Sequence, residues 1–469
     1  MSGGLSMPLI CLQGSRGVVQ VRLCEYGCMG GNMSQRTAVT ILQELIRFDT
    51  TNPPGNERAC IEYLDHLLQV AGIETSILAK EPQRPNLIAR IPGAGASPSL
   101  LLFGHVDVVT TAHQNWSVPP FEARITDGIL WGRGALDMKA GVAMMASALL
   151  EAKARSLEPA GDILFAAVSD EEAGGTMGAR YLVEEHPSLF EGVQYAIGEF
   201  GGFPLTIDGT PLYMIQVGEK VPCWVQATIR GPGGHGARPM RGGAMAMLGR
   251  VLSQLDRHRL PIHITSVTEH MVLAMADALP RPKGAIFRRL LNPRFTDRIL
   301  KALGDTGRNL EPLFRNTVNA TIVRGGEKPN VIPSEITLGL DARLLPGFTP
   351  QDLFAELEPL LGEALDYNVL LFDEGLARTD LGLFPLLADV LGRAHPGSRQ
   401  VPYLLPGSSD ARFFDRLGIQ TYGFIPMNLP AQFNFFETIH AADERIPVEC
   451  VKFGAAAMLD VLARYGEKI

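Results

Sequence analysis

From Ala38 to about Val217, helical periodicity alternates with short runs in which nearly every position is apolar. The runs are "NLIARIP", "SLLLFGHVDVV", "DILFAAVSDEE" and "VQYAIGEF", and the helical stretches fall at residues 56–71, 139–155 and 176–185. A strand without a polar face is buried on both sides. Strands of that kind alternating with helices predict an α/β fold, a mostly parallel sheet with helices on both faces. The pattern returns from Val401, with a helix at Ser409–Leu417, the run "QTYGFIP" and a closing helix at Pro447–Arg464.

The middle of the chain reads differently. "CWVQATIRG" alternates apolar and polar positions in the manner of a half-exposed strand. A helix near Gly243–Leu255 follows, then "EITLGLDARLL", a helix at Pro350–Ala364 and "NVLLFDEG". This order predicts a smaller α+β domain, residues 218–375, inserted into a larger one of residues 33–217 and 376–469. Some sixty residues rich in Pro, Arg and Leu, about 257–318, are extra to that pattern. Residues 1–32 are Gly-rich and aperiodic, which predicts a disordered extension or misassigned leader ahead of Met33.

Composition narrows the function. Hydrophobic residues make up 46% of the 469 and charged ones 20%, the balance of an ordinary globular protein. A net charge of −8 argues against nucleic acid or an anionic membrane as partner. No apolar run approaches the roughly 18–20 residues that span a bilayer. The six cysteines form no disulfide framework, and a reducing cytoplasm is the expected location. Cys24 and Cys28 have no second pair with which to hold a metal.

Several strand ends carry polar residues that a buried strand should not admit. His105 and Asp107, two apart, project to one side at the carboxyl end of "LLLFGHVDVV", where open α/β sheets bind ligands. Asp137 follows the Gly132/Gly134 passage in "WGRGALDMKAG", where it could equally cap a helix. Glu171 and Glu172 end "ILFAAVSDEE", although adjacent acids are usually a solvated loop. Glu199 sits in "VQYAIGEFGG", and His440 in "FETIHAADERIP". Each is weak alone. Together they make a set of imidazoles and carboxylates without cysteine, which suits zinc, or alternatively cobalt or manganese. The set exceeds the need of one ion, and a bridged pair fits better.

At these motifs the chain resembles the co-catalytic di-zinc hydrolases: aminoacylase, acetylornithine deacetylase, succinyl-diaminopimelate desuccinylase, and carboxypeptidases G and S. "GHVDVV", "WGRGALDMKAG", "SDEEAGG" and "HAADERIP" carry the resemblance, which runs from about Gln43 to the C-terminus. It implies two zinc ions bridged by Asp137. His105 and Glu199 complete one site, Glu172 and His440 the other. Asp107 orients His105, and Glu171 is the general base that takes a proton from water and returns it to the leaving nitrogen.

In the insertion, the resemblance gives His235 of "GPGGHGARP" the role of polarising the substrate carbonyl, often from a partner subunit. It places Asn330 and Arg343 on the substrate carbonyl and carboxylate, although Arg343 could instead form a structural ion pair with Asp341. Gly407, Ser408 and Ser409 of "PGSSDARFF" are expected to line the pocket. His263 and His270, in the extra segment, are expected to be ordinary.

The function implied is hydrolysis of an amide bond beside a free carboxylate, in N-acyl amino acids or short peptides. A homodimer through residues 218–375 is implied with it. The extra segment, "NTVNATIVRGGEKPNVIP" and "LPGSSDARFF" lean toward the carboxypeptidase S and N-acyl-amino-acid hydrolase branch. Acetylornithine or succinyl-diaminopimelate deacylation, a catalytically silent metal- or peptide-binding relative, and an aminopeptidase are the alternatives.

Overall fold

The computed structural model describes residues 37–467 apart from 208, 363, 364, 377 and 378; the leader of residues 1–32, with Cys24 and Cys28, lies outside the described residues. The main sheet has nine strands. Its centre is parallel, in the order Ile163–Val168, Ser99–His105, Val193–Gly198, Gln420–Gly423. Its flanks are mixed. Pro85–Ile91 and Glu74–Ala79 add antiparallel on one side. Thr210–Glu219 meets Gln420–Gly423 antiparallel on the other and then pairs parallel with Arg399–Leu405.

The apolar runs are central for the expected reason. Along Ser99–His105, Leu100 and Leu102 enter the core under one face, whereas Leu101 and Phe103 enter the core under the other. Helices Ala38–Arg47, Lys139–Ala154 and Val448–Arg464 close the first face; Ala179–Glu185 and Ala411–Asp415 close the second. The helix expected at Ser409–Leu417 is thus a short one, because Ser409 is held in a loop by side-chain bonds of its own.

The inserted sheet is antiparallel throughout, in the order Thr317–Arg324, Glu335–Leu344, Val221–Arg230, Asp366–Phe372. Cys223, Val225, Ala227 and Ile229 point into a separate core beneath helices Ala244–Arg257 and Pro350–Leu361. Trp224 and Arg230 alternate outward into solvent. The extra segment leaves this domain. Its helix Ser266–Ala278 buries Val267, Met271, Val272 and Met275 in the core of the catalytic sheet, against strand Arg399–Leu405. The chain then returns through Lys283–Arg288, Pro293–Ala302 and Asp305–Leu310 to the edge strand of the inserted sheet, strapping the two units together.

Candidate metal centre and catalytic site

The central strands are parallel, so their carboxyl ends share one edge of the sheet, and three of them deliver acidic or imidazole groups there. His105 ends its strand, Glu171 and Glu172 follow Ile163–Val168, and Glu199 follows Val193–Gly198. Asp137 and His440 arrive by another route. A three-stranded sheet pairs Ile129–Trp131 with Arg445–Pro447, which brings the loop after the first strand beside the loop before the second. Met138, not Asp137, occupies the helix cap, leaving the Asp137 carboxylate free; the Asp137–Met138 peptide is cis.

Two donor groups result, His105–Asp137–Glu199 and Asp137–Glu172–His440, with Asp137 common to both. His105 Nε2 lies 3.1 Å from Asp137 Oδ1 and 3.3 Å from Glu199 Oε2. His440 Nε2 lies 3.1 Å from Asp137 Oδ2 and 3.1 Å from Glu172 Oε1. Ligands about 2.0–2.1 Å from a tetrahedral zinc stand about 3.3 Å apart, so these spacings suit an ion between them. Glu199 Oε1 is buried with no hydrogen-bond partner, a donor atom awaiting an acceptor of its charge.

The charges agree with that fit. Asp107, Asp137, Glu171, Glu172 and Glu199 outnumber the two imidazoles. Burial pushes Glu199 up to about 8 despite its hydrogen bond with His105. Burial first, then the neighbouring Glu199 carboxylate, holds Glu171 well above the usual carboxylate range. Hydrogen bonds with Asp137 and Glu172 raise His440 to about 10. A carboxyl kept ready to hold a proton is the property a general base needs near neutral pH.

Asp107 does more than the sequence suggested, and by different atoms. His105 Nδ1 is 2.9 Å from the Asp107 backbone carbonyl and 3.5 Å from the carboxylate, so the carbonyl is the nearer acceptor. The carboxylate instead accepts from the backbone N–H groups of Glu171 and Glu172, at 3.1 Å each, and from Asn52 Nδ2 at 2.8 Å. It sets the loop that carries Glu171 and Glu172.

Further supports were not singled out in the sequence. Asp170, in left-handed backbone at φ 72°, accepts from Arg84, Asn52, Thr176 and the Met177 N–H; Arg84 also pairs with buried Glu57 at 2.6 Å. On the other side Glu444 accepts from the N–H groups of Gly134, Leu136 and Asp137 and pairs with buried Arg133 at 2.6 Å. Arg133 and Gln114 both donate to the His440 carbonyl. One carboxylate thus holds the Asp137 loop from four residues beyond His440.

The substrate candidates are not brought together. Arg343 pairs with Asp341, and its Nη1 also reaches Ser408 Oγ at 3.3 Å, across from insertion to catalytic domain. Ser409, expected on the pocket wall beside Gly407, is buried, and its N–H and Oγ both bond to Glu219. His235 and Asn330 lie at the other end of the inserted sheet, where Gly234–His235 pairs with Val331–Ile332 and both residues are exposed. From Arg343 back to Glu335 is already about 27 Å of extended strand at about 3.4 Å per residue.

The family model described as Peptidase family M20/M25/M40 matches residues 101–464. The N-fatty-acyl-amino acid synthase/hydrolase PM20D1 of Homo sapiens is 30% identical over 370 residues, covering 76% of this chain and 72% of that protein. The succinyl-diaminopimelate desuccinylase of Methylobacterium radiotolerans is 28% identical over 428 residues, 88% and 92% of the two chains. Among solved structures, the M20 family metallo-carboxypeptidase Sso-CP2 from Sulfolobus solfataricus matches with a TM-score of 0.67 at 18% identity, covering 92% of this chain and 99% of that one.

Proposed function

The chain belongs to peptidase family M20/M25/M40 and is a hydrolase of peptide or linear amide bonds, and we propose that it cleaves N-acyl amino acids or short peptides beside a free carboxylate, using two zinc ions. The observation that carries the reading is the pair of donor groups sharing Asp137, with Glu171 next to them and assigned to neither. When bound, two divalent cations supply Lewis acidity toward the substrate carbonyl and ease deprotonation of water. Glu171 takes the proton from the attacking water and returns it to the leaving nitrogen, and burial keeps it basic enough for both transfers. Arg343, seated against Ser408, offers a guanidinium fork to the substrate carboxylate.

His235 and Asn330 stand too far along the inserted sheet to share that substrate within one chain. Their place is the active site of a second copy, with His235 stabilising the oxyanion in trans and the dimer formed through residues 218–375. Among the described residues no helix is long and apolar enough to cross a membrane.

The test is turnover of a matched panel of N-acetyl, N-succinyl and long-chain N-acyl amino acids beside hydrophobic dipeptides, with zinc supplied and then chelated. Preference for hydrophobic acyl groups fits the N-acyl-amino-acid hydrolase branch, as in the human relative. Preference for N-succinyl substrates selects the desuccinylase reading. No turnover with two metals bound would sink the proposal.

A further inference from the structure

Glu219 and Lys220 are consecutive, and they join the catalytic strand Thr210–Glu219 to the inserted strand Val221–Arg230. Both are buried, Glu219 at 7% exposure and Lys220 at 0%. Consecutive residues of an extended chain project to opposite sides, and these two reach opposite halves of the molecule. Glu219 Oε2 accepts from Ser409 Oγ at 2.7 Å and from the Ser409 N–H at 3.0 Å. Lys220 Nζ donates to the Arg315 carbonyl at 2.9 Å, to Thr317 Oγ1 at 2.9 Å and to the Pro312 carbonyl at 3.1 Å.

The two sets of bonds converge on one contact. Ser409 is the chain neighbour of Ser408, whose hydroxyl meets Arg343 Nη1. Thr317 is the register partner of Arg343 across the inserted sheet. Each half of the Arg343–Ser408 contact is therefore fastened, one residue away, to one member of the pair. Those bonds all go to neutral groups. A buried charge held only by neutral partners costs more than an apolar side chain of similar size, so stability alone gives no reason for these residue types here.

We propose that Glu219 and Lys220 are positioning residues for recognition of the substrate carboxylate. Glu219 fixes the Gly407–Ser409 loop on the catalytic side. Lys220 fixes the end of the inserted sheet that carries Arg343 and the returning end of the strap. Together they preset the spacing between the Arg343 guanidinium and the Ser408 hydroxyl. The proposal rests on the reading of Arg343 as the carboxylate's holder.

The experiment measures kcat and KM for an N-acyl amino acid and for its carboxamide, which lacks the negative charge. Arg343→Met tests the underlying reading, because it should erase the preference for acid over amide. Glu219→Gln and Lys220→Met should each raise KM for the acid roughly tenfold while kcat and the amide's KM change little, as for loss of hydrogen bonds to a charged group. Lys220→Arg, which keeps the donor, should recover most of that loss. Thr317→Val removes one bond to Lys220, and Ser409→Ala one bond to Glu219 together with the one its Oγ accepts from the Ala411 N–H; each should raise the same KM by roughly threefold, and they decide the matter if the charge variants do not fold. Equal effects on acid and amide, or losses in kcat or melting temperature alone, would overturn the proposal while Arg343→Met still erased the preference. Persistence of the preference in Arg343→Met would overturn the carboxylate reading and the proposal with it.

Discussion

The metal cradle and the inserted sheet use strands in opposite ways. The cradle takes residues from strand ends and loops as far apart in sequence as His105 and His440 and brings both imidazoles to 3.1 Å from the shared Asp137 carboxylate. The inserted sheet keeps its chemistry along strand length: Arg343 is tied down at the junction, and His235 stands exposed at the far end. Parallel strands concentrate groups at one edge, whereas an antiparallel pair of ten-residue strands holds them apart. The proposal that His235 serves a second copy rests on that difference.

The largest expected effect tests the cradle. Glu171→Gln should lower kcat roughly a thousandfold or more while both metals still bind, since the amide cannot take the proton. Metal content by elemental analysis beside single-turnover rates checks it; a tenfold loss would mean that another group is the base. His235→Ala should cost roughly a hundredfold, the size of a lost oxyanion donor. Coexpression of the two variants then separates the two constructions. If His235 acts across a dimer, hybrids pair one intact cradle with one intact histidine and regain activity. If it acts within its own chain, each subunit lacks one essential group and mixing restores nothing.

Smaller effects come from residues that hold the cradle without entering it. Glu444→Ala removes the acceptor for three backbone N–H groups around Asp137 and leaves buried Arg133 without its ion pair. Zinc affinity should fall roughly ten- to hundredfold, as when second partners of metal ligands are lost. Competition against a chelator reads this directly. Unchanged affinity would show that the Ile129–Trp131 and Arg445–Pro447 pairing alone fixes the loop.

His105, Glu171, Glu172 and Glu199 stand out in the sequence because each puts a polar group in or just after a strand that is otherwise apolar, whereas Asp137 and His440 lie in loops and stand out only through their motifs. The residues supporting them stand out in neither way. Glu57, Arg84 and Arg133 look in sequence like surface charges, and only the fold buries them as partners of Glu57–Arg84–Asp170 and Arg133–Glu444. Glu444 stood inside the motif that yielded His440, and Asp170 beside Glu171, yet spacing does not say which acid of a cluster faces the ions. Ser409 shows a related limit: a serine in a polar loop declares a donor, not the direction in which it donates. The strap shows the limit for packing. The sequence of 257–318 marks its helices only weakly, and whether the buried face of Ser266–Ala278 meets its own domain or the neighbouring sheet depends on tertiary contacts the pattern does not carry.

The last expected effect belongs to the junction between the two regions and is one of stability against pH rather than of turnover. Burial pushes Glu219 up to about 7 from an ordinary 4.5 and draws Lys220 down to about 7 from 10.5, with Arg343 and Arg315 adding to the latter. Between about pH 4.5 and 7 the folded protein keeps a proton on Glu219 that the unfolded chain has lost, so this contribution to stability falls as pH rises. Between about pH 7 and 10.5 the unfolded chain keeps a proton on Lys220 that the folded protein has lost, so stability rises again. The pair therefore contributes a minimum near pH 7. Denaturant melts of the wild type minus Glu219→Gln should slope downward across the lower window and level off above it. The difference against Lys220→Met should be level first and then climb, all other titrations cancelling. Flat differences in both windows would mean that the junction tolerates these charges as water does, and that the two regions are joined by an ordinary linker.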